Sequence, residues 1–295
     1  MSALPPAADA ALIDDLRREI DRIDDALHDL LMRRTQVVEQ IGRAKSGSRV
    51  FLRPGREAVI LRRLAARHTG PLPITVITRM WRELIAGLTR LQGPYAITVW
   101  SPEDRRGFWD VARDHFGSQT PMSAVSSVAA AIRSLTDGTA SAAVVPMPAE
   151  DDSELWWPLL MSDDSKTPRV VARLPFFGRG NARGEDGDAL VLAVLPHEPT
   201  GDDHTLVGIE VGEDISRGRL KDMLEQAGLL PTPFGAWLAR TGAPGSFHLV
   251  EIADYVAADD PRLAVFARRV GEALIRQTLI GGYAVPLFAT DAHGS

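Results

Sequence analysis

The sequence predicts a multidomain chain: an all-α N-terminal module acting as an intertwined dimer, then an α/β and a ferredoxin-like α+β region. Three observations predict it. Apolar residues recur at helical spacing through most of the first 93 positions. After Gly93-Pro94 short apolar runs alternate with helical patterns, the mark of an α/β unit. From His204 onward the order reads β-α-β-β-α-β, the ferredoxin-like arrangement. The expected domains are 1–93, 94–200 and 201–295.

The first helix is expected over 10–46, with Leu12, Leu16, Ile20, Ile23, Leu27, Leu30, Leu31, Val38 and Ile41 on its apolar side. At 1.5 Å per residue it is roughly 55 Å long. So long a helix in so small a module is expected to pack against a second chain. Pro54 suits a first helical turn, and a second helix runs to about Arg67. A third spans 73–92, with Ile77, Met80, Trp81, Leu84, Ile85 and Leu88 apolar.

Beyond Pro94, strands are expected at 95–100, 141–145, 169–177 and 189–195, and helices at 104–115 and 124–136. The strands at 169–177 and 189–195 would form a hairpin across a Gly-rich loop. Residues 196–203 read as a linker. Strands then fall at 204–211, near 233–240, at 246–255 and at 282–287, with helices at 216–227 and from 261 to 272 and beyond.

The 295 residues contain no cysteine, which excludes disulfides and thiolate metal sites. The seven histidines show no metal-ligand spacing, so neither metal nor cofactor is expected. The start of the chain lacks signal-peptide character and no apolar run is long enough to cross a bilayer. A cytoplasmic protein without membrane contact is expected. The net charge of −6 divides unevenly: residues 1–92 carry 16 Lys+Arg against 11 Asp+Glu, and the remainder is acidic. A basic module suggests an anionic ligand. Interspersed acids and few aromatics argue against nucleic acid.

Arg34 and Lys45 lie eleven residues apart, and eleven steps of about 100° return close to the same helix face. Val38 and Ile41 lie on the stripe between them. A cation at each end of an apolar floor suits a small dianion with a hydrocarbon body. Snorkelling surface cations over a core stripe are the plainer reading of this spacing alone. Arg17 stands seventeen residues before Arg34, roughly 26 Å along a straight helix. It cannot share a small ligand with Arg34 of its own chain but could reach a partner's site. Arg56 and Glu57 open the second helix and Gln92 ends the third. Taken singly, each is unremarkable.

Together they fit a pattern. The runs Leu16-Arg17-Arg18-Glu19-Ile20-Asp21-Arg22-Ile23-Asp24, Leu30-Leu31-Met32-Arg33-Arg34, Ile41-Gly42-Arg43-Ala44-Lys45, Arg53-Pro54-Gly55-Arg56-Glu57 and Arg79-Met80-Trp81-Arg82-Glu83-Leu84-Ile85 resemble the all-helical chorismate mutase family. The resemblance implies conversion of chorismate to prephenate in phenylalanine and tyrosine biosynthesis, by a homodimer. It implies that Arg34 and the partner's Arg17 grip substrate carboxylates, with Arg56 nearby. Lys45 would hold a carboxylate and the ether oxygen, Gln92 would donate to that oxygen, and Glu57 would accept from the ring hydroxyl. Arg53 departs from the acidic residue, and Leu88 from the small hydroxyl or thiol side chain, that the family often carries at these positions.

The remaining residues resemble, more loosely, the bifunctional chorismate mutase–prephenate dehydratase layout. Ser141-Ala142-Ala143-Val144-Val145-Pro146 is similar to a dehydratase strand, but Met147-Pro148-Ala149 departs from the family's continuation. Val171-Ala172-Arg173-Leu174 lacks the threonine of the family's catalytic Thr-Arg-Phe. Residues 204–288 resemble an ACT regulatory domain, with Gly218-Arg219-Leu220 for Gly-Ala-Leu and Gly235-Ala236-Trp237-Leu238 for Glu-Ser-Arg-Pro. A non-catalytic C-terminal region is therefore expected. The alternatives are a bifunctional mutase/dehydratase or a non-catalytic dimeric amino-acid sensor.

Overall fold

A computed structural model describes residues 7–44, 51–149, 155–178, 187–212, 215–232, 238–242 and 245–287. The chain separates into two compact units, residues 1–49 and 50–295. The sequence places the first boundary at 93. The contacts instead assign the second and third helices to the larger unit.

The first unit is one helix, α1 (Ala7–Ala44). It has no internal Pro, and i,i+3 pairs such as Arg17–Asp14 (3.2 Å) and Arg22–Glu19 (2.9 Å) line its polar face. Its apolar stripe is open: Leu12, Leu16, Ile20, Ile23, Leu27, Leu30 and Ile41 are all exposed, Leu30 by 61%.

The second unit opens with α2 (Pro54–Arg67) and α3 (Ile74–Gln92). Pro54 supplies a helical φ at a position whose N–H needs no partner. A doubly wound portion follows: β1 (Ile97–Trp100), α4 (Gly107–Phe116), β2 (Met122–Val125), α5 (Val128–Thr136) and β3 (Ala142–Pro146). β1 lies parallel to both β2 and β3. Ser127 caps α5 through its side-chain oxygen. Then β4 (Arg169–Leu174) and β5 (Ala189–Ala193) pair antiparallel, as the hairpin reading expects.

The last portion runs β6 (Asp203–Val211), α6 (Arg217–Gln226), β7 (Leu238–Gly242), β8 (Gly245–Ile252), α7 (Pro261–Val270) and β9 (Leu274–Ala284). Its strand order, β9-β6-β8-β7, is that of a ferredoxin-like sheet. Among the described residues, nine strands form one sheet, ordered β2-β1-β3-β5-β4-β9-β6-β8-β7, which crosses the expected boundary at residue 200 without interruption. The seam is a parallel contact of β4 with β9 at Val170 and Gly281. Gly281 has φ +122°, and a Cβ there would fall 2.1 Å from the Val170 carbonyl oxygen, so only glycine permits the approach.

Buried clusters cover both faces. Phe108, Val111 and Phe116 of α4 pack on one face of the doubly wound portion, and Ala131 and Leu135 of α5 on the other. Leu220, Leu224, Leu263 and Phe266 cover one face of the ferredoxin-like strands. Trp157, Leu160 and Met161 join the cluster on the opposite face, with Leu206, Leu249 and Ile280.

Candidate functional site

The candidate residues of the helical module fall on both units. On α1, Arg17 is exposed and paired with Asp14 of its own helix. Arg34 is partly buried, and desolvation lowers its pKa from the ordinary arginine value. Lys45 lies outside the described residues.

In the larger unit, Arg56 is exposed on the first turn of α2. Gln92, partly buried at the end of α3, donates from Nε2 to the Leu88 carbonyl (3.1 Å). Glu57 is placed differently. It lies on the buried side of α2 with Ala58 and Leu61, and its Oε2 accepts from Arg82 Nη1 of α3 (2.8 Å). Both side chains are about nine-tenths enclosed. Burial raises the Glu57 pKa, opposed by the Arg82 charge and hydrogen bond and by the backbone N–H of Arg53. Burial likewise lowers the Arg82 pKa, and Glu57 opposes that. The structure thus pairs Glu57 with Arg82, a residue to which the sequence reading gives no role. The available signal is a cation on the buried stripe of α3, in step with Thr78, Ile85, Ala86 and Thr89.

α2 and α3 are docked on the α/β body. Arg62 donates to Thr200 Oγ1 (2.7 Å) and to the carbonyls of Asp202 (2.6 Å) and Val285 (2.8 Å). Arg53 makes two hydrogen bonds to Glu198 (3.2 and 2.7 Å). Glu83 accepts from the Ser118 backbone N–H (2.9 Å), and Arg90 donates to the Gln119 carbonyl (2.7 Å). Ala58 and Leu61 share a buried cluster with Phe176 and Ala284.

A second polar network lies where β4, β6, β8 and β9 adjoin. Arg173 Nη1 donates to the Tyr283 hydroxyl (3.3 Å), and its Nη2 to Asp188 (2.5 Å). Tyr283 donates to Glu251 (2.7 Å), which also meets His204 Nδ1 (2.5 Å). Ala172 precedes Arg173, so this strand supplies no hydroxyl beside the guanidinium.

Residues 16–93 match the family model described as chorismate mutase type II. The helical module is of the chorismate mutase family. That match spans α2, α3 and α1 from Leu16 onward, with Arg17, Arg34, Lys45, Arg56, Glu57 and Gln92 inside it. Relatives of the mutase module are two-function enzymes by name. The chain is 30% identical over 150 residues to the bifunctional chorismate mutase/prephenate dehydratase of Pseudomonas aeruginosa, covering 48% of this chain and 40% of that enzyme. It is 35% identical over 95 residues to the enzyme of the same name from Neisseria gonorrhoeae, covering 31% of this chain and 26% of that one. The chain thus matches well under two thirds of these relatives' length. The 150-residue likeness is longer than the module, so it continues into the α/β body. Among solved structures, a prephenate dehydratase from Streptococcus mutans has a TM-score of 0.45 at 13% identity, over 66% of this chain and 100% of that one. The prephenate dehydratase from Arthrobacter aurescens in complex with L-Phe has a TM-score of 0.47 at 13% identity, over 64% and 90%. These are loose likenesses.

Proposed function

We propose that this protein is a homodimeric, cytoplasmic chorismate mutase whose α/β body, from residue 94 on, is non-catalytic. The observation that carries the reading is the mutase family match over residues 16–93. Chorismate rearranges to prephenate in one unimolecular step, so no nucleophile, general base or metal is required. The protein must select the compact reactive conformer, a positioning effect. It must also stabilise the negative charge that develops on the ether oxygen as its bond breaks.

Arg34, the partner subunit's Arg17 and nearby Arg56 would grip the two carboxylates. Lys45 would hold a carboxylate and the ether oxygen. Gln92 would release the Leu88 carbonyl and donate to the same oxygen. Glu57 would accept from the ring hydroxyl through the oxygen that Arg82 leaves free. The exposed apolar stripe of α1 supports the dimer, because a helix that long with so open an apolar side is stabilised by a second chain.

The test is chorismate consumption by the purified protein beside Arg34→Ala and Lys45→Ala. Turnover is expected in the wild type and its loss in both variants, with helicity intact. An inactive wild type, or full activity in either variant, overturns the reading. The relatives' two-function names favour a second reading, in which prephenate is also converted to phenylpyruvate. Phenylpyruvate formation would establish it. Ala172 beside Arg173 argues for none.

A further inference from the structure

We propose that Arg82 is a positioning residue for Glu57, and that the α/β body holds Arg82 in place through Phe176. This rests on the chorismate mutase reading above, and it gives the body a part in the mutase site.

The argument starts from enclosure. A carboxylate shut away from water tends to take up a proton, and a protonated Glu57 is a poorer acceptor for a substrate hydroxyl. Arg82 opposes this with a charge-assisted hydrogen bond of 2.8 Å. That bond also fixes one carboxylate oxygen and leaves the other to be aimed. Lysine could supply the charge but not the planar fork.

Arg82 is in turn held by an aromatic ring of the body. Its guanidinium carbon lies 5.5 Å from the centre of the Phe176 ring, within cation–π range. Phe176 follows β4 in the body and is buried against Ala58 and Leu61 of α2. Its own backbone carbonyl accepts from the Leu287 N–H (2.8 Å), which ties it to the segment after β9. Arg62 lies over the same ring, 5.9 Å from its centre. Other groups face the pair from every packed element. They are the Arg53 backbone N–H at the start of α2, Tyr95 just before β1, and His115 of α4, on which the Arg82 charge acts. Burial holds Tyr95 and His115 in their neutral forms, so Arg82 is the charge that balances Glu57.

The experiment uses the full chain with 13Cδ-labelled glutamate. The Glu57 signal is assigned by its loss in Glu57→Gln and followed against pH in the wild type, Arg82→Gln, Arg82→Lys and Phe176→Leu. Arg82→Gln is expected to move the Glu57 titration upward, and Arg82→Lys to bring it back most of the way. Phe176→Leu is expected to move it upward by a smaller step. In the chorismate assay, Arg82→Gln should lower kcat about tenfold at neutral pH, about 1.4 kcal/mol of transition-state stabilisation. KM should change much less, and kcat should rise with pH as Glu57 ionises. An unchanged Glu57 titration in folded Arg82→Gln overturns the proposal. If that variant does not fold, Phe176→Leu decides: an upward shift supports the proposal and an unchanged titration overturns it. A wild type without mutase activity would sink the mutase reading alone, since the carboxylate titration is read without substrate.

Discussion

Leu61 shows no exposed surface, and its neighbours Ala58, Phe176 and Ala284 come from α2, the segment after β4 and the end of β9. Truncating it opens a cavity that three separate elements would have to collapse to fill. Leu61→Ala is expected to lower the unfolding free energy by about 2–5 kcal/mol, read from urea denaturation. A loss below about 1 kcal/mol would show that the helices are not anchored there. Arg62, one position on, does polar work at the same junction. Two of its three acceptors are backbone carbonyls, so one guanidinium ties α2 to the chain on either side of the β6–β9 pair. Neither residue is marked in the sequence as a contact with the body. Their partners in the body are more than a hundred positions away, beyond the reach of local periodicity.

At the scale of elements, α1 carries the clearest consequence. Its apolar stripe is open along its length, so Leu16→Asp with Ile23→Asp should convert a dimer to a monomer in sedimentation velocity and abolish turnover. A dimer of unchanged mass would refute the role given to this helix. The helices were legible because their apolar positions recur at a spacing no strand shares, and Pro54 and Gly93-Pro94 punctuate them. Two strands were not. β2 spans only four residues, Met122–Val125, with little burial, so it lacks the alternation that marks a half-buried strand. Its second half, Ala124-Val125, falls inside the helix expected over 124–136. β9 begins at Leu274 rather than 282. Its first part, Ile275-Arg276-Gln277-Thr278, is mostly polar and follows α7 after one short turn, so it reads as more helix. Its register also shifts between Leu279 and Gly281, which breaks the two-residue period. The site divides the same way. Arg34, Lys45, Glu57 and Gln92 were legible as a family pattern. The pairing of Glu57 with Arg82 was not, because it depends on the crossing of α2 with α3.

For the molecule as a whole, a buried histidine contributes to the response to acid. His248 on β8 is 2% exposed, and neither ring nitrogen has a hydrogen-bond partner among the described residues. Burial, and then the charge of Arg217, lowers its pKa from 6.5 to about 4. The unfolded chain therefore binds this proton first. The stability His248 confers is complete above pH 6.5 and is lost as the pH falls toward about 4. His115 acts in the same direction. Glu57, whose pKa is raised, acts in the opposite one. The urea midpoint should fall between pH 7 and pH 5, and His248→Gln should make the fall shallower. An equal fall in both proteins would remove His248 from the account. The docking of α2 has a further consequence, for synthesis. Arg62 donates to the carbonyl of Val285, which is made 223 residues later. At roughly 5–20 residues per second, α2 waits about 10–45 s on the ribosome for that partner. Until then the apolar side of α2 that carries Leu61 has nothing of β9 to cover it. The growing chain presents a sticky helix, and chaperones that bind nascent polypeptides would meet it there.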